Sequence, residues 1–332
     1  MKFIEELRRR ARQLEQHIVL VESKDPRVLK AASYLAAENI CRVTLLGSEQ
    51  DVREAADSHS IDLQGDLAFS DPETDPSVER YGTMVHEQQQ KRGKESELDE
   101  TINRLKNPLY FGAAMVKSGE ADGCVAGAVA TTGEVIRAAL QVIGLRNDAS
   151  IVSSIFMMVL PDGKVLTYGD CGVVPYPDAG QLADIAIESS RTHRLLTQQE
   201  PVTAMLSFST KGSARHEKVE LVQEALNIVR GRAPKLKIDG EFQFDAAFVP
   251  EVARRKAPES DVAGRANVFI FPNLDAGNIA YKITERLGGA SATGPILQGL
   301  DQPMMDLSRG CGWDDIVNAA CVAILMTERS ED

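Results

Sequence analysis

Twice between His17 and Asp57 the chain passes from a short apolar run rich in β-branched residues into a helical stretch. HIVLVE (17–22) leads into an amphipathic segment from Pro26 to about Asn39, and RVTLLG (42–47) leads into QDVREAAD (50–57). Alternation of this kind builds a parallel sheet covered by helices. The connection after the first strand, ESKDP, lacks the glycine fingerprint that cradles a dinucleotide, which disfavours a conventional NAD-binding half.

From Asp71 to Gly119 the pattern turns mainly helical, with a solvated charged face around HEQQQKRGKESELDE. ADGCVAGAV (121–129) reads as a strand feeding TTGEVIRAALQVIG, a helix that begins at a glycine. After the polar break RNDAS (146–150), IVSSIFMMVL and KVLTYGD flank Pro161-Asp162-Gly163, a strong hairpin turn. Alternation then resumes: a helix after Pro177-Asp178, strand VTAMLSF (202–208), a helix from about Arg215 to Arg230, and strand ANVFIF (266–271) before a last loop and helix. A length of 332 residues suits two domains. The reading is a discontinuous first domain, 1–148 and 297–332, and a second at 149–296.

A formal charge of −12 argues against nucleic acid or an anionic membrane as the main partner, yet allows a local basic pocket near Arg137 and Arg309. No apolar run approaches the roughly 20 residues of a membrane span. The charged start MKFIEELRRRARQLEQ has no apolar core or cleavage site of an export signal, so a cytoplasmic location is expected. The five cysteines are scattered without a CxxC pair, which fits reduced thiols, and the five dispersed histidines give little support to a metal site or a triad.

Four junctions carry chemistry. In LDQPMMDLSRGCGWDD (300–315), Ser308 and Arg309 sit in a glycine-containing loop, and Asp315 falls in the first turn of the last helix, where the dipole favours a carboxylate. A hydroxyl, a guanidinium and a carboxylate so placed suit acyl transfer to a thiol, in which a phosphate is bound and a proton accepted. In AGAVATTGEVIR (126–137), glycines and Thr131 and Thr132 expose amides able to hold a phosphate, with Arg137 adding charge. In SFSTKGSARHE (207–217), Ser209, Thr210, Lys211 and Gly212 form a candidate anion cradle, although Lys211 precedes its glycine and so departs from the P-loop order. FPNLDAGNIAYK (271–282) places Asn273, Asp275 and Asn278 at a helix start, where capping explains Asp275. Glu241 and Asp245, among aromatics in EFQFDAAFVP, read as a structural turn. On the residues alone, helix capping and small-residue packing remain open as explanations at every one of these places.

Over nearly its whole length the chain resembles the phosphate acetyltransferases. The likeness rests, in order, on NPLYFGAAMVKSGEADG, LADIAIES, AMLSFSTKGSA, DGEFQFDAAFVP, ANVFIFPNLDAGNIAYKI, GPILQGL and DLSRGC. The resemblance implies two α/β domains with a cleft between them, similar to the isocitrate and isopropylmalate dehydrogenase architecture, and a homodimer. It implies reversible transfer of an acetyl group between acetyl phosphate and coenzyme A, giving acetyl-CoA and phosphate, with a propionyl or butyryl preference as the alternative. Ser308, Arg309 and Asp315 would be catalytic and Arg137 would bind substrate; on their own pattern, Thr132, Ser209, Thr210, Lys211 and Gly212 are further candidate substrate contacts. Coenzyme A enters as a substrate, so neither a redox cofactor nor a metal is needed. The chain departs from many relatives at Ala130, Thr131 and Ala138, which stand where a histidine, a Ser or Ala, and a proline are common. A family arginine near HEQQQKRGK cannot be assigned among Lys91, Arg92 and Lys94. Other classes to separate are a metal-dependent decarboxylating dehydrogenase and a non-catalytic phosphate- or coenzyme-binding module.

Overall fold

The computed structural model describes residues 2–93 and 95–328. Lys94, one of the candidates for the family arginine, lies outside the described residues. The chain divides into two compact units. One comprises Ile4–Arg146 and the segment from Leu300 onward, the other Asn147–Gly299 with the chain start up to Phe3.

Up to Arg146 the elements are α1 (Lys2–Arg12), β1 (His17–Leu20), α2 (Pro26–Ala37), β2 (Arg42–Leu46), α3 (Glu49–Ser58), β3 (Leu67–Ser70), α4 (Ser77–Lys91), α5 (Leu98–Leu105), α6 (Pro108–Lys117), β4 (Gly123–Ala126) and α7 (Thr132–Val142). Asn147–Gly299 contributes β5 (Ser153–Val159), β6 (Val165–Gly169), α8 (Ala179–Thr197), β7 (Thr203–Leu206), α9 (Glu217–Arg232), β8 (Ile238–Phe242), α10 (Phe244–Phe248), α11 (Pro250–Lys256), β9 (Val268–Ile270), α12 (Leu274–Arg286) and β10 (Ser291–Gln298). The chain then adds β11 (Met304–Asp306) and α13 (Trp313–Leu325), closed by a 3-10 turn at Met326–Glu328.

The first unit is built on a parallel sheet of order β11-β4-β1-β2-β3. Ile18, Val19 and Leu20 are buried on both faces, as a strand covered by helices on each side must be. Helix α2 starts where it does because the Asp25 side chain accepts the Arg27 N–H at 2.8 Å while Pro26 occupies the first helical position. Its Val28, Leu29, Ala32 and Leu35 pack inward. Helix α13 buries Ile316, Val317, Ala320, Cys321 and Ile324. Strand order runs outward from β1 through β2 and β3 in one direction and through β4 and β11 in the other. The reversal opens a crevice at the carboxyl ends of β1 and β4, where open α/β sheets take their ligands.

The second unit holds a mixed sheet of order β10-β5-β6-β9-β7-β8, in which β10–β5 and β5–β6 are antiparallel and the remaining pairs parallel. The β5–β6 connection is the hairpin expected at Pro161-Asp162-Gly163, closed by Gly163 N–H to the Leu160 carbonyl at 2.8 Å. One apolar cluster gathers Phe156, Tyr168, Phe242 and Phe269, and another gathers Leu182, Ile185, Met205, Val222 and Leu226. Between α8 and the sheet lies the buried His193, whose Nδ1 is 2.8 Å from the Thr167 hydroxyl; Nε2 has no hydrogen-bond partner among the described residues. Burial lowers its pKa to about 4, so the ring is neutral at ordinary pH.

Two details differ from the sequence reading. Asn273, not Asp275, caps α12, accepting the Ala276 N–H at 3.0 Å, because its position directly before the helix lets the short amide reach back. Asp275 accepts instead from the Tyr176 hydroxyl at 2.7 Å. The strands β3, β8, β10 and β11 also appear where no strand is expected.

Candidate active site

At the crevice of the first unit three loops leave adjacent strands. Residues 21–25 follow β1, residues 127–131 follow β4, and residues 307–312 follow β11. The pairing of Asp306 with Ala126 and the Leu307 N–H to Ala126 carbonyl bond, 2.9 Å, bring the last two side by side. Gly127 is required where they touch. Its φ is +104°, and a β-carbon there would lie 2.5 Å from Asp306 Oδ1 and 2.6 Å from the Leu307 nitrogen.

The amides offered by 127–130 are real, and the chain itself fills them. Glu22 accepts the N–H groups of Gly127 (3.1 Å), Ala128 (2.8 Å), Val129 (3.0 Å) and Ala130 (2.8 Å). Four converging N–H dipoles make a nest for negative charge, which a carboxylate satisfies as well as a phosphate does. Thr131 then caps α7 in a reciprocal box with Glu134. Thr132 sends its hydroxyl to Asp306 Oδ2 at 2.6 Å. Asp306 is buried, its Oδ1 has no partner among the described residues, and burial lifts its pKa to about 6, with the Glu22 charge also raising it against the Thr132 bond.

Ser308, Arg309 and Asp315 lie in this same unit. The Ser308 side-chain oxygen accepts the Gly310 N–H at 3.3 Å, which leaves its proton available to a ligand. Ser308 and Arg309 are exposed. Asp315, the third residue of α13, reaches back to the Gly312 N–H at 2.8 Å. A low basicity is expected for a carboxylate at a helix start, but the direction is the opposite. Loss of water around the carboxyl raises its proton affinity; the Gly312 bond opposes this and Asp314 adds to it. Asp315 nonetheless keeps access to solvent.

Arg137 lies exposed on α7. Its charge and that of Arg309 both reach the Glu134 carboxyl, which is held below its usual range first by the Thr131 N–H and hydroxyl and then by the two guanidiniums. Ser308, Arg309, Asp315 and Thr132 thus belong to the loops and helix starts at the carboxyl end of one sheet, and Arg137 sits in the second turn of α7. A cavity of about 770 Å³ opens beside the loop after β1, lined among others by Glu22, Lys24, Ser48, Asp71, Lys106 and Val129; none of Ser308, Arg309, Asp315, Thr132 and Arg137 lines it.

The 209–212 loop belongs to the other unit. Ser209 donates to Glu241 Oε1 at 2.8 Å, and the Gly212 N–H reaches the same oxygen at 2.8 Å. Thr210 Oγ1 accepts the Gln243 N–H at 3.0 Å, and Lys211 pairs with Asp239 at 2.6 Å. The cradle expected for an external anion is therefore organised around an internal one. Of its side chains, Ser209 and Thr210 are buried and Lys211 is exposed. Arg92, among the candidates for the family arginine, rests its guanidinium against Gly144.

Sequence reasoning missed Glu22, Arg27 and Asp306. Asp306 stands in the DLSRGC segment, so its place two residues before Ser308 was a usable signal. Glu22 and Arg27 flank a strand end and a helix start and carry no local pattern.

A family profile described as phosphate acetyl/butaryl transferase matches residues 2–324. The chain belongs to that family. It is 46% identical over 333 residues to the phosphate acetyltransferase of Acetivibrio thermocellus, covering 99% of each chain. A phosphotransacetylase from Streptococcus pyogenes is similar in structure, with a TM-score of 0.91 at 38% identity, over 97% of this chain and 98% of that one. The EutD phosphotransacetylase from Staphylococcus aureus matches with a TM-score of 0.89 at 39% identity, over 98% and 99%. Membership in the family accords with two α/β units of the kind the resemblance implies.

Proposed function

We propose that the protein is a phosphate acetyltransferase, moving an acetyl group reversibly between acetyl phosphate and coenzyme A. The observation that carries this reading is the full-length likeness to phosphate acetyltransferases, joined to a hydroxyl, two guanidiniums and a carboxylate of raised proton affinity at one sheet edge.

Coenzyme A brings its own nucleophile. A thiol of pKa about 8.5 is only a few per cent ionised at neutral pH, so a base is useful. In the proposed step the thiol proton passes to Asp315 as sulfur attacks the acetyl carbonyl. The bond from that carbon to the phosphate oxygen then breaks, and phosphate leaves with the electron pair. Ser308 donates a hydrogen bond from its hydroxyl to the sulfur or to the developing oxyanion. Arg309 and Arg137 bind the phosphoryl oxygens and stabilise the charge of the departing phosphate. Thr132 sits at the first turn of α7 as a further substrate contact. In the second unit Lys211 is the exposed cation of its loop, while Ser209, Thr210 and Gly212 shape it.

The test is thioester formation from acetyl phosphate and coenzyme A, followed spectrophotometrically, against a panel of acyl phosphates. Acetyl phosphate is expected to give the highest kcat/KM. Fastest turnover with butyryl or propionyl phosphate would move the assignment to the alternative, and no turnover by folded protein would end it.

We also propose a homodimer in the cytoplasm. Ile279, Ile283 and Leu287, four residues apart on and just beyond α12, are 58%, 52% and 84% exposed, a ridge that fits a second copy. The five cysteines are all unpaired and buried, as a reducing compartment favours. Among the described residues no helix is long and apolar enough to cross a membrane. Light scattering should give twice the chain mass for the wild type and a shift toward the monomer for Ile283→Asp.

A further inference from the structure

Arg27 spends every one of its donors on three loops at the carboxyl edge of the first unit's sheet. Its Nε and one Nη2 hydrogen hold Asp25, at 2.9 Å and 2.8 Å. The other Nη2 hydrogen reaches the Ala128 carbonyl at 2.7 Å, in the loop that carries the amide nest. Nη1 donates to the carbonyls of Arg309 at 2.8 Å and Cys311 at 3.1 Å. A guanidinium has five N–H groups in a rigid fork, and here five acceptors meet them.

Three of the partners are main-chain oxygens of the segments that carry candidate chemistry. Arg309 donates nothing here; its own carbonyl is the acceptor, so the backbone from which its side chain projects is pinned. The side chain of Asp25, already engaged as the cap of α2, fixes the direction of the fork. No lysine can reproduce this: an ammonium has three donors and no plane, and could reach at most some of the carbonyls.

We infer that Arg27 is a positioning residue for acyl transfer: it sets the place of Arg309 and of the 309–311 backbone relative to the loop after β4. The inference rests on the proposed function. Misplacing a catalytic group by about 1 Å costs on the order of 100-fold in rate, so the effect belongs in kcat more than in substrate affinity.

The experiment compares wild type, Arg27→Lys, Arg309→Ala and the double variant in acetyl phosphate:coenzyme A kinetics, with thermal unfolding measured in parallel. Arg27→Lys is expected to lower kcat about 10- to 100-fold with each KM within about threefold. In the Arg309→Ala background the same change should cost less than about threefold, because the side chain it serves is gone. Equal losses in both backgrounds, or wild-type kcat in folded Arg27→Lys, would overturn the inference. Should Arg27→Lys lack a cooperative unfolding transition, Asp25→Asn takes its place: the guanidinium stays but loses its charged anchor, and the same dependence on Arg309 is required. A wild type without acetyl transfer removes the functional reading together with this inference; an active wild type with no coupling between positions 27 and 309 removes this inference alone.

Discussion

Thr132 donates a hydrogen bond from its hydroxyl to Asp306 at 2.6 Å, and that bond ties the first turn of α7 to the end of the strand that leads to Ser308 and Arg309. The other carboxylate oxygen is buried without a partner among the described residues. A charged carboxylate in such a place is costly, so folding raises its proton affinity.

Stability should follow that rise. The folded-state pKa of about 6 lies above the roughly 3.9 of an unfolded aspartate. The contribution is therefore complete below about 4 and is lost as pH rises through about 6. Asp306→Asn, which carries no charge, should equal or exceed the wild type in unfolding free energy at pH 8, by at most about 3 kcal/mol, with the gap closing toward pH 5. Thermal unfolding at pH 5, 6, 7 and 8 measures it; a gap independent of pH would show that Asp306 does not titrate there.

Asp315 must be unprotonated to accept a thiol proton. Because its proton affinity is raised, the acid limb of the kcat profile should fall above the ordinary carboxylate range, with activity lost as pH drops through it. Asp315→Asn should cost about 10²- to 10⁴-fold in kcat and abolish that limb. Retention of wild-type kcat at neutral pH would remove Asp315 from the role of base.

Glu22→Gln replaces two acceptor oxygens facing four N–H groups with one, and turns an NH₂ toward donors. Leaving buried donors unpaired costs about 1–3 kcal/mol each, so a loss on the order of 2–3 kcal/mol in urea unfolding is expected. A change below about 0.5 kcal/mol would mean that the loop after β4 stands without its internal anion.

The buried His193 predicts the reverse pH sense from Asp306. Its folded pKa, about 4, lies below the roughly 6.5 of an unfolded histidine. Its contribution is present above about 6.5 and is lost as pH falls toward 4. His193→Asn cannot charge, so its stability relative to wild type should improve by up to about 3 kcal/mol between pH 7 and pH 4.5. A constant difference over that range would contradict the assignment.

Much of this fold was legible because periodicity survives in short windows. HIVLVE, RVTLLG and the turn at Pro161-Asp162-Gly163 announce strands and a hairpin that the structure contains. Strand β3, with the four residues LAFS, offers too short an apolar run to register, and β8 hides in IDGEF, where a glycine and two acids mask burial. For the site, the sequence marks the backbone amides after β4 and the Ser209–Gly212 loop as anion holders. That is chemically sound, but it cannot show that Glu22 and Glu241 supply the anions from within. Such pairings join residues 105 or 29 positions apart, and no local pattern encodes them.

The nest around Glu22 is assembled from peptide groups, whose identity no substitution at 128, 129 or 130 alters unless proline is introduced. Only Gly127 is tied to its residue type, through its backbone angle and the crowding beside Asp306. Side-chain replacement along this turn is consequently cheap for the anchor. The side chains of Ala130 and Thr131 leave the electrostatic anchor intact while deciding what the turn shows to its surroundings.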